Sequence, residues 1–188
     1  MVTLSCFSQE GTGKKGTISC QVALLDDTSY NIRVKKHSKG QVLLDEVCKY
    51  LNISETDYFG LRLLGQTKIS HWLDLQKALM REIKRYGLHT NPVKLYFGVK
   101  FYATDPCKLK EEITRYQFFL QLKRDVLNGR ITLAFDHLVE LCSLVIQSEL
   151  GDYSPEAHTL GYVSELRLVP HQSEELEQAI ALNHQKLM

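Results

Sequence analysis

The sequence predicts an α+β protein in two lobes, a small mixed sheet closed by one helix and then a lobe built of helices alone. Three observations carry this. Apolar and polar residues alternate at 18–24, 30–34 and 93–101, the period of half-buried strands. The spacing switches to three and four residues at 43–51 and again over most of 109–187, the period of helices buried on one side. The two parts also differ in charge: residues 1–104 hold 15 Lys plus Arg against 9 Asp plus Glu, net +6, and residues 105–188 hold 8 against 13, net −5.

Taken in order, Ile18, Cys20, Val22 and Leu24 share one face of a strand, Asp26 and Asp27 turn the chain, and Tyr30, Ile32 and Val34 alternate back, so a hairpin is expected. Leu43, Val47 and Leu51, widened by Val42 and Leu44, then predict an amphipathic helix of about three turns. Strand, strand, helix is the opening of a ubiquitin-like fold. Short apolar pieces follow at 58–64 and at Trp72 and Leu73. The clearest strand comes next, with Val93, Leu95, Phe97, Val99 and Phe101 on one side.

After Tyr102 the pattern is helical. Asp105 before Pro106 pairs a capping side chain with a residue whose missing N–H costs nothing at the first helical position, so a helix is expected to start there and to stop at Asn128 and Gly129. The stretch 133–150 is apolar on nearly every side, which predicts a buried central helix ending at Gly151. Ser154 with Pro155, and Ser173 with Glu174 and Glu175, offer caps for two more helices. No repeat or low-complexity linker separates the lobes, and a few residues near 103–106 connect them.

Composition narrows the function. The chain has 188 residues, 44% of them hydrophobic, with 11 Gly and 4 Pro, the proportions of a globular protein able to bury a core without metal or disulfide staples. Its apolar runs are short and interrupted, far from the ~20 residues needed to span a bilayer. The N-terminal residues show neither the basic-then-apolar pattern of a secretory signal nor an acylation motif, since residue 2 is Val. Five cysteines without a C-x-x-C pair read as reduced thiols of a cytosolic protein, with Cys20 and Cys142 inside apolar patterns as small buried side chains.

No catalytic constellation emerges. Gly11, Gly13 and Gly16 match G-x-G-x-x-G, but they precede an alternating strand, whereas a dinucleotide loop must open a helix whose N–H groups meet the pyrophosphate. The seven histidines are scattered singly, without metal-ligand spacing, so no metal and no cofactor is expected. Glu111 and Glu112 are adjacent on a first helical turn, diverge by about 100 degrees and read as solvated rather than as an acid and base pair. There is no G-x-S-x-G elbow.

The basic groups do cluster. Arg33, Lys35, Lys36, His37 and Lys39 form one set and Arg81, Lys84 and Arg85 another, able to face anionic lipid or an acidic peptide, with an ordinary solvated face as the alternative. They lack interleaved aromatics, so nucleic acid is not an expected partner.

Five stretches together closely resemble the FERM domain: Asp57-Tyr58-Phe59-Gly60-Leu61; Trp72-Leu73-Asp74; Val99-Lys100-Phe101-Tyr102; Thr114-Arg115-Tyr116 through Phe119-Leu120-Gln121-Leu122-Lys123; and Gln147-Ser148-Glu149-Leu150-Gly151-Asp152-Tyr153. Residues 105–116 look most like the band 4.1 branch, near the band 4.1-like proteins. The resemblance implies a ubiquitin-like β-grasp first lobe at 17–103 behind a flexible lead at 1–16, and a helical second lobe at 104–188 similar to acyl-CoA-binding protein. A third, phosphotyrosine-binding-like lobe would follow Met188 and is absent from this chain.

The function it implies is a non-enzymatic adaptor linking cytoplasmic tails of membrane proteins, or the inner face of the plasma membrane, to the cortical cytoskeleton. The alternative is the targeting or regulatory segment of a larger signalling enzyme such as a FERM-containing tyrosine phosphatase. Candidate lipid-binding residues are Lys35, Lys36, Lys39, Lys77, Lys84 and Arg85. In the ezrin, radixin and moesin group, two lysines after the Trp-Leu pair contribute to phosphoinositide binding. Lys77 matches the second, whereas Asp74 replaces the first and would repel a phosphate.

Overall fold

The computed structural model describes residues 16–65, 69–159 and 161–187. The expected N-terminal lead therefore lies outside the described residues, apart from Gly16. By compactness the chain divides into two units, with the divide after Arg115.

The first unit is built on a five-stranded mixed sheet of order β2-β1-β5-β3-β4. Its strands are β1 (Thr17–Ala23), β2 (Ser29–Lys35), β3 (Phe59–Leu64), β4 (Ser70–Trp72) and β5 (Val93–Val99). The expected hairpin forms with Cys20 opposite Ile32, and β1 runs parallel to β5 with Val22 opposite Leu95. On the other side of β5, Leu61 of β3 pairs antiparallel with Phe97. Because side chains alternate along a strand, this register puts Val22, Leu61, Leu63, Leu95 and Phe97 at complete burial. Each contributes roughly 1.5–3 kcal/mol relative to exposure.

Helix α1 (Gly40–Tyr50) buries Leu43, Leu44, Val47 and Cys48 at the predicted spacing. Gly40 starts it for lack of room: a Cβ there would lie 2.8 Å from the Leu73 side chain. A second short helix, α2 (Leu79–Arg85), was not expected, because its seven residues carry too short an apolar pattern to read. It holds Glu82 at 1% exposure with neither carboxylate oxygen hydrogen-bonded. Strand β5 ends at Val99, and Phe101, expected to continue it, is exposed.

The stretch after Tyr102 corrects the expected helix start. Asp105 does cap, accepting the Cys107 N–H at 3.0 Å, but it closes a single 3-10 turn at Pro106–Lys108. Helix α3 (Glu112–Leu127) begins four residues later. In between, the chain is pinned to the loop after α1. Glu111 Oε2 accepts the N–H groups of Ser54 at 2.9 Å and Glu55 at 3.2 Å. The Glu55 carboxylate accepts those of Lys110 at 3.2 Å and Glu111 at 3.1 Å. Glu111 is therefore a capping group rather than the solvated carboxylate expected from its position.

In the second unit α3 ends at Asn128 and Gly129 as predicted, Gly129 taking φ of 65°. Helix α4 (Phe135–Leu150) packs with α5 (Glu174–His184), which Ser173 caps through the Leu176 N–H. The core gathers Val126, Val139, Cys142, Val145, Ile146, Val163, Leu176 and Ile180. Helix α4 is buried along one stripe rather than all round, since Phe135, Leu144 and Leu150 are exposed. No helix forms at Ser154 and Pro155; that segment is a turn in which the Ser154 N–H donates to His158 Nδ1 at 2.9 Å. No helix of the described residues is long and apolar enough to cross a membrane.

Candidate functional site

The turn after β2 and the start of α2 are 40 residues apart in sequence and are joined by backbone bonds. Lys39 forms an antiparallel bridge with Ala78; Gly40 N–H donates to the Lys77 carbonyl at 3.0 Å and Leu79 N–H to the Ser38 carbonyl at 2.8 Å. This local pairing joins the backbone at the end of the first basic sequence cluster to the backbone that leads into α2, which carries the second. Lys35, Lys36 and Lys39 are exposed on one side of the bridge, and Arg81, Lys84 and Arg85 are exposed along α2 on the other. Positions 81, 84 and 85 share one helical face, as three- and four-residue spacing requires. Arg85 lies about 9 Å along the axis from the first residue of α2, at 1.5 Å per residue.

Not all of these charges are equally available. Lys77 Nζ sits 2.6 Å from Asp74 Oδ2. The Lys77 ammonium, helped by the Gln76 N–H, holds the Asp74 carboxyl below its usual range. Asp74 thus ion-pairs with Lys77, one of the residues expected to bind lipid. Arg85 lies 5.6 Å over the Tyr86 ring and 3.9 Å from buried Glu82, so its charge is partly committed. Lys35, Lys36, Lys39 and Lys84 carry the exposed positive charge of this face, together with Arg81.

Cys20, Cys48 and Cys142 are buried, and burial pushes their thiols up to about 11, about 12 and about 11, which leaves them protonated and poor nucleophiles. Among the described residues no group of His, Cys, Asp and Glu could hold a metal ion.

Sequence reading missed one polar cluster in the second unit. His184 is fully buried; its Nε2 donates to the Gly151 carbonyl at 3.0 Å, which leaves Nδ1 to accept from the Tyr162 hydroxyl at 2.9 Å. His158 lies 5.4 Å from it edge-on, and Tyr153 stacks on His158 at 5.5 Å. These histidines read as solitary because 26 positions separate them. The cluster satisfies the carbonyl of Gly151, the residue that follows α4, a structural task.

Residues 22–85 match the FERM N-terminal domain and residues 104–188 match the FERM central domain. The chain belongs to the FERM family. Within it, this FERM chain is 51% identical over 176 residues to Band 4.1-like protein 4A of Homo sapiens, an alignment covering 90% of this chain and 25% of that protein. It is 44% identical over 170 residues to Tyrosine-protein phosphatase non-receptor type 4 of Homo sapiens, covering 90% of this chain and 18% of that one. Among solved structures, the FERM and C-terminal domain complex of Drosophila Merlin superposes with a TM-score of 0.77 at 27% identity, over 90% of this chain and 59% of that one. The chain spans a quarter or less of the length of these two curated relatives. The mixed sheet and helical unit are thus FERM lobes of the band 4.1 kind, as the sequence motifs implied.

Proposed function

We propose that this FERM chain is a non-catalytic adaptor module, with lobes at 17–103 and 104–188, that holds cytoplasmic tails of membrane proteins, or the inner membrane surface itself, to the cortical cytoskeleton. The observation that supports the membrane part is the bridge between Lys39 and Ala78, which joins the segment carrying the exposed cations of residues 35–39 to the one that leads into α2. Each basic residue close to an anionic surface adds about 1 kcal/mol of attraction, decaying within a Debye length of ~8 Å at physiological salt. Three or four together give weak, salt-sensitive binding. With Lys77 committed to Asp74, that binding follows total charge and shows no preference for phosphoinositides. Family membership supports the tail and cytoskeletal partners, and the cell cortex is the location this role requires.

Sedimentation with vesicles matched in total charge, with and without phosphoinositide, tests the membrane part. Equal binding to both, lost at high salt, supports it; no binding at low salt removes it, and a strong phosphoinositide preference replaces it with a headgroup site that tolerates Asp74.

A second reading rests on the 44% identity to a tyrosine phosphatase: the chain is the targeting segment of a larger signalling enzyme. Sequencing the full transcript separates the two, because a phosphatase signature loop encoded downstream would favour this reading over the first.

A further inference from the structure

Ser54 has a sequence context and a structural position that the adaptor reading does not use. Of the serines and threonines in the chain it alone has an acidic residue three positions on, Asp57, and Glu55 follows it directly. Acids at those two positions are what an acid-directed serine/threonine kinase selects, because basic side chains in its peptide groove pair with carboxylates. Ser54 and Asp57 are both exposed, and Ser54 lines an open cleft with Asp45 and Lys49. The same serine is one corner of the paired-carboxylate contact described above. Its N–H donates to Glu111 Oε2 at 2.9 Å, and its hydroxyl also hydrogen-bonds the Glu111 carboxylate.

We propose that Ser54 is a phosphorylation site for an acid-directed kinase using ATP, and that the phosphate unlocks the Glu55 and Glu111 contact. In the transfer, Ser54 Oγ attacks the γ-phosphorus, the bond from that phosphorus to the bridging oxygen breaks, ADP leaves, and the hydroxyl proton passes to the kinase's catalytic carboxylate. Two consequences follow at the site. The donor hydrogen that Ser54 offered to Glu111 is gone, and a group carrying about −1.5 to −2 charge stands against two carboxylates. Of the cations nearby, the Arg115 guanidinium already donates to the Leu109 carbonyl at 2.7 Å, and Lys49, which lines the same cleft as Ser54, is a single charge against two carboxylates. A kinase must also draw residues 53–57 into an extended form, which breaks the N–H bonds of Ser54 and Glu55 to Glu111. The phosphate then opposes their return.

The full chain is incubated with a purified acid-directed serine/threonine kinase and radiolabelled ATP, and the label is mapped by mass spectrometry. Label is expected on Ser54, absent in Ser54→Ala and slowed about tenfold in Asp57→Asn by loss of one charge contact. Hydrogen exchange on the labelled protein should then show the amides of Ser54, Glu55, Lys110 and Glu111 exchanging about tenfold faster or more, with the helical unit unchanged. Circular dichroism of both variants checks that they fold. No label on Ser54, labelling indifferent to Asp57→Asn, or a labelled protein whose four amides exchange at the original rate overturns the proposal.

Discussion

Glu55 and Glu111 cap each other's backbone. Each carboxylate accepts N–H groups from the segment that carries the other, and Thr114 Oγ1 adds a bond of 3.3 Å to Glu111. Two carboxylates facing this way would repel, yet four backbone donors and two hydroxyls hold them ionised. The contact fixes residues 109–114 to the loop at 54–55, and so sets where α3 begins.

Acid is therefore expected to loosen the first compact unit, which runs to Arg115. The Glu111 carboxyl is lowered chiefly by the Ser54 hydroxyl and Ser54 N–H, and Glu55 chiefly by the Glu111 N–H, both from an ordinary value of 4.5. A depressed folded-state pKa contributes stability that is fully present above the unfolded value and lost as pH falls through the folded one. Melting temperatures of the parent and Glu111→Gln, measured from neutral pH down to about pH 3, should differ at neutral pH and converge toward the acid end. Parallel curves would show that the contact contributes nothing.

The helical lobe should depend on the buried stripe of α4. Val145 is 4% exposed, and Val145→Asp strands a carboxylate in the core, costing several kcal/mol. Leu144, the residue before it, is 47% exposed, and Leu144→Asp should stay within about 0.5 kcal/mol of the parent. Leu141, half-buried, should fall between. Urea denaturation ranks the three, and equal losses at 144 and 145 would refute the one-sided burial.

His184 offers a hydrogen-bond test. Tyr162→Phe removes the donor to Nδ1 and leaves a buried nitrogen unsatisfied, at about 1–3 kcal/mol. His184→Phe removes both hydrogen bonds at once, to the Tyr162 hydroxyl and to the Gly151 carbonyl, and should cost more. Thermal unfolding of the two variants reads the order directly.

Glu82 predicts a gain. Its carboxylate is buried with no hydrogen bond, and its nearest ion-pair partner, the exposed Arg85 guanidinium, is 3.9 Å away. Glu82→Gln removes the charge at nearly constant volume and should stabilise by about 1 kcal/mol, a rise of about 2–4 °C in Tm for a chain this size. A fall in Tm would mean that the carboxylate has a partner after all, such as a buried water.

On the basic face, replacing Lys36 and Lys39 with Glu should abolish vesicle binding, since each reversal removes and then opposes about 1 kcal/mol of attraction. Lys77→Gln combined with Asp74→Asn should change little, because the ion pair these two residues form carries no net charge. Sedimentation at low salt compares them.

Strands β1, β2 and β5, helix α1 and the ends of α3 and α4 were legible in the sequence because each is written locally, in alternation, in three- and four-residue spacing, and in Gly129 and Gly151 at left-handed positions; β3 and β4, read only as short apolar pieces, do not alternate. The two basic clusters were equally legible as residues. The backbone link between their segments was not, because it depends on a pairing between Lys39 and Ala78 that no local pattern encodes. The same holds for Asp105, whose cap was correctly read but closes only one turn, and for Glu111, whose role is set by donors 56 and 57 residues away. The sequence by itself determined the family, the two-lobe α+β architecture and the stock of exposed charge. Only the tertiary structure decided which charges are free, which are spent on a partner, and which carboxylates hold backbone, because a side chain's electrostatic state depends on what the fold brings within about 4 Å of it.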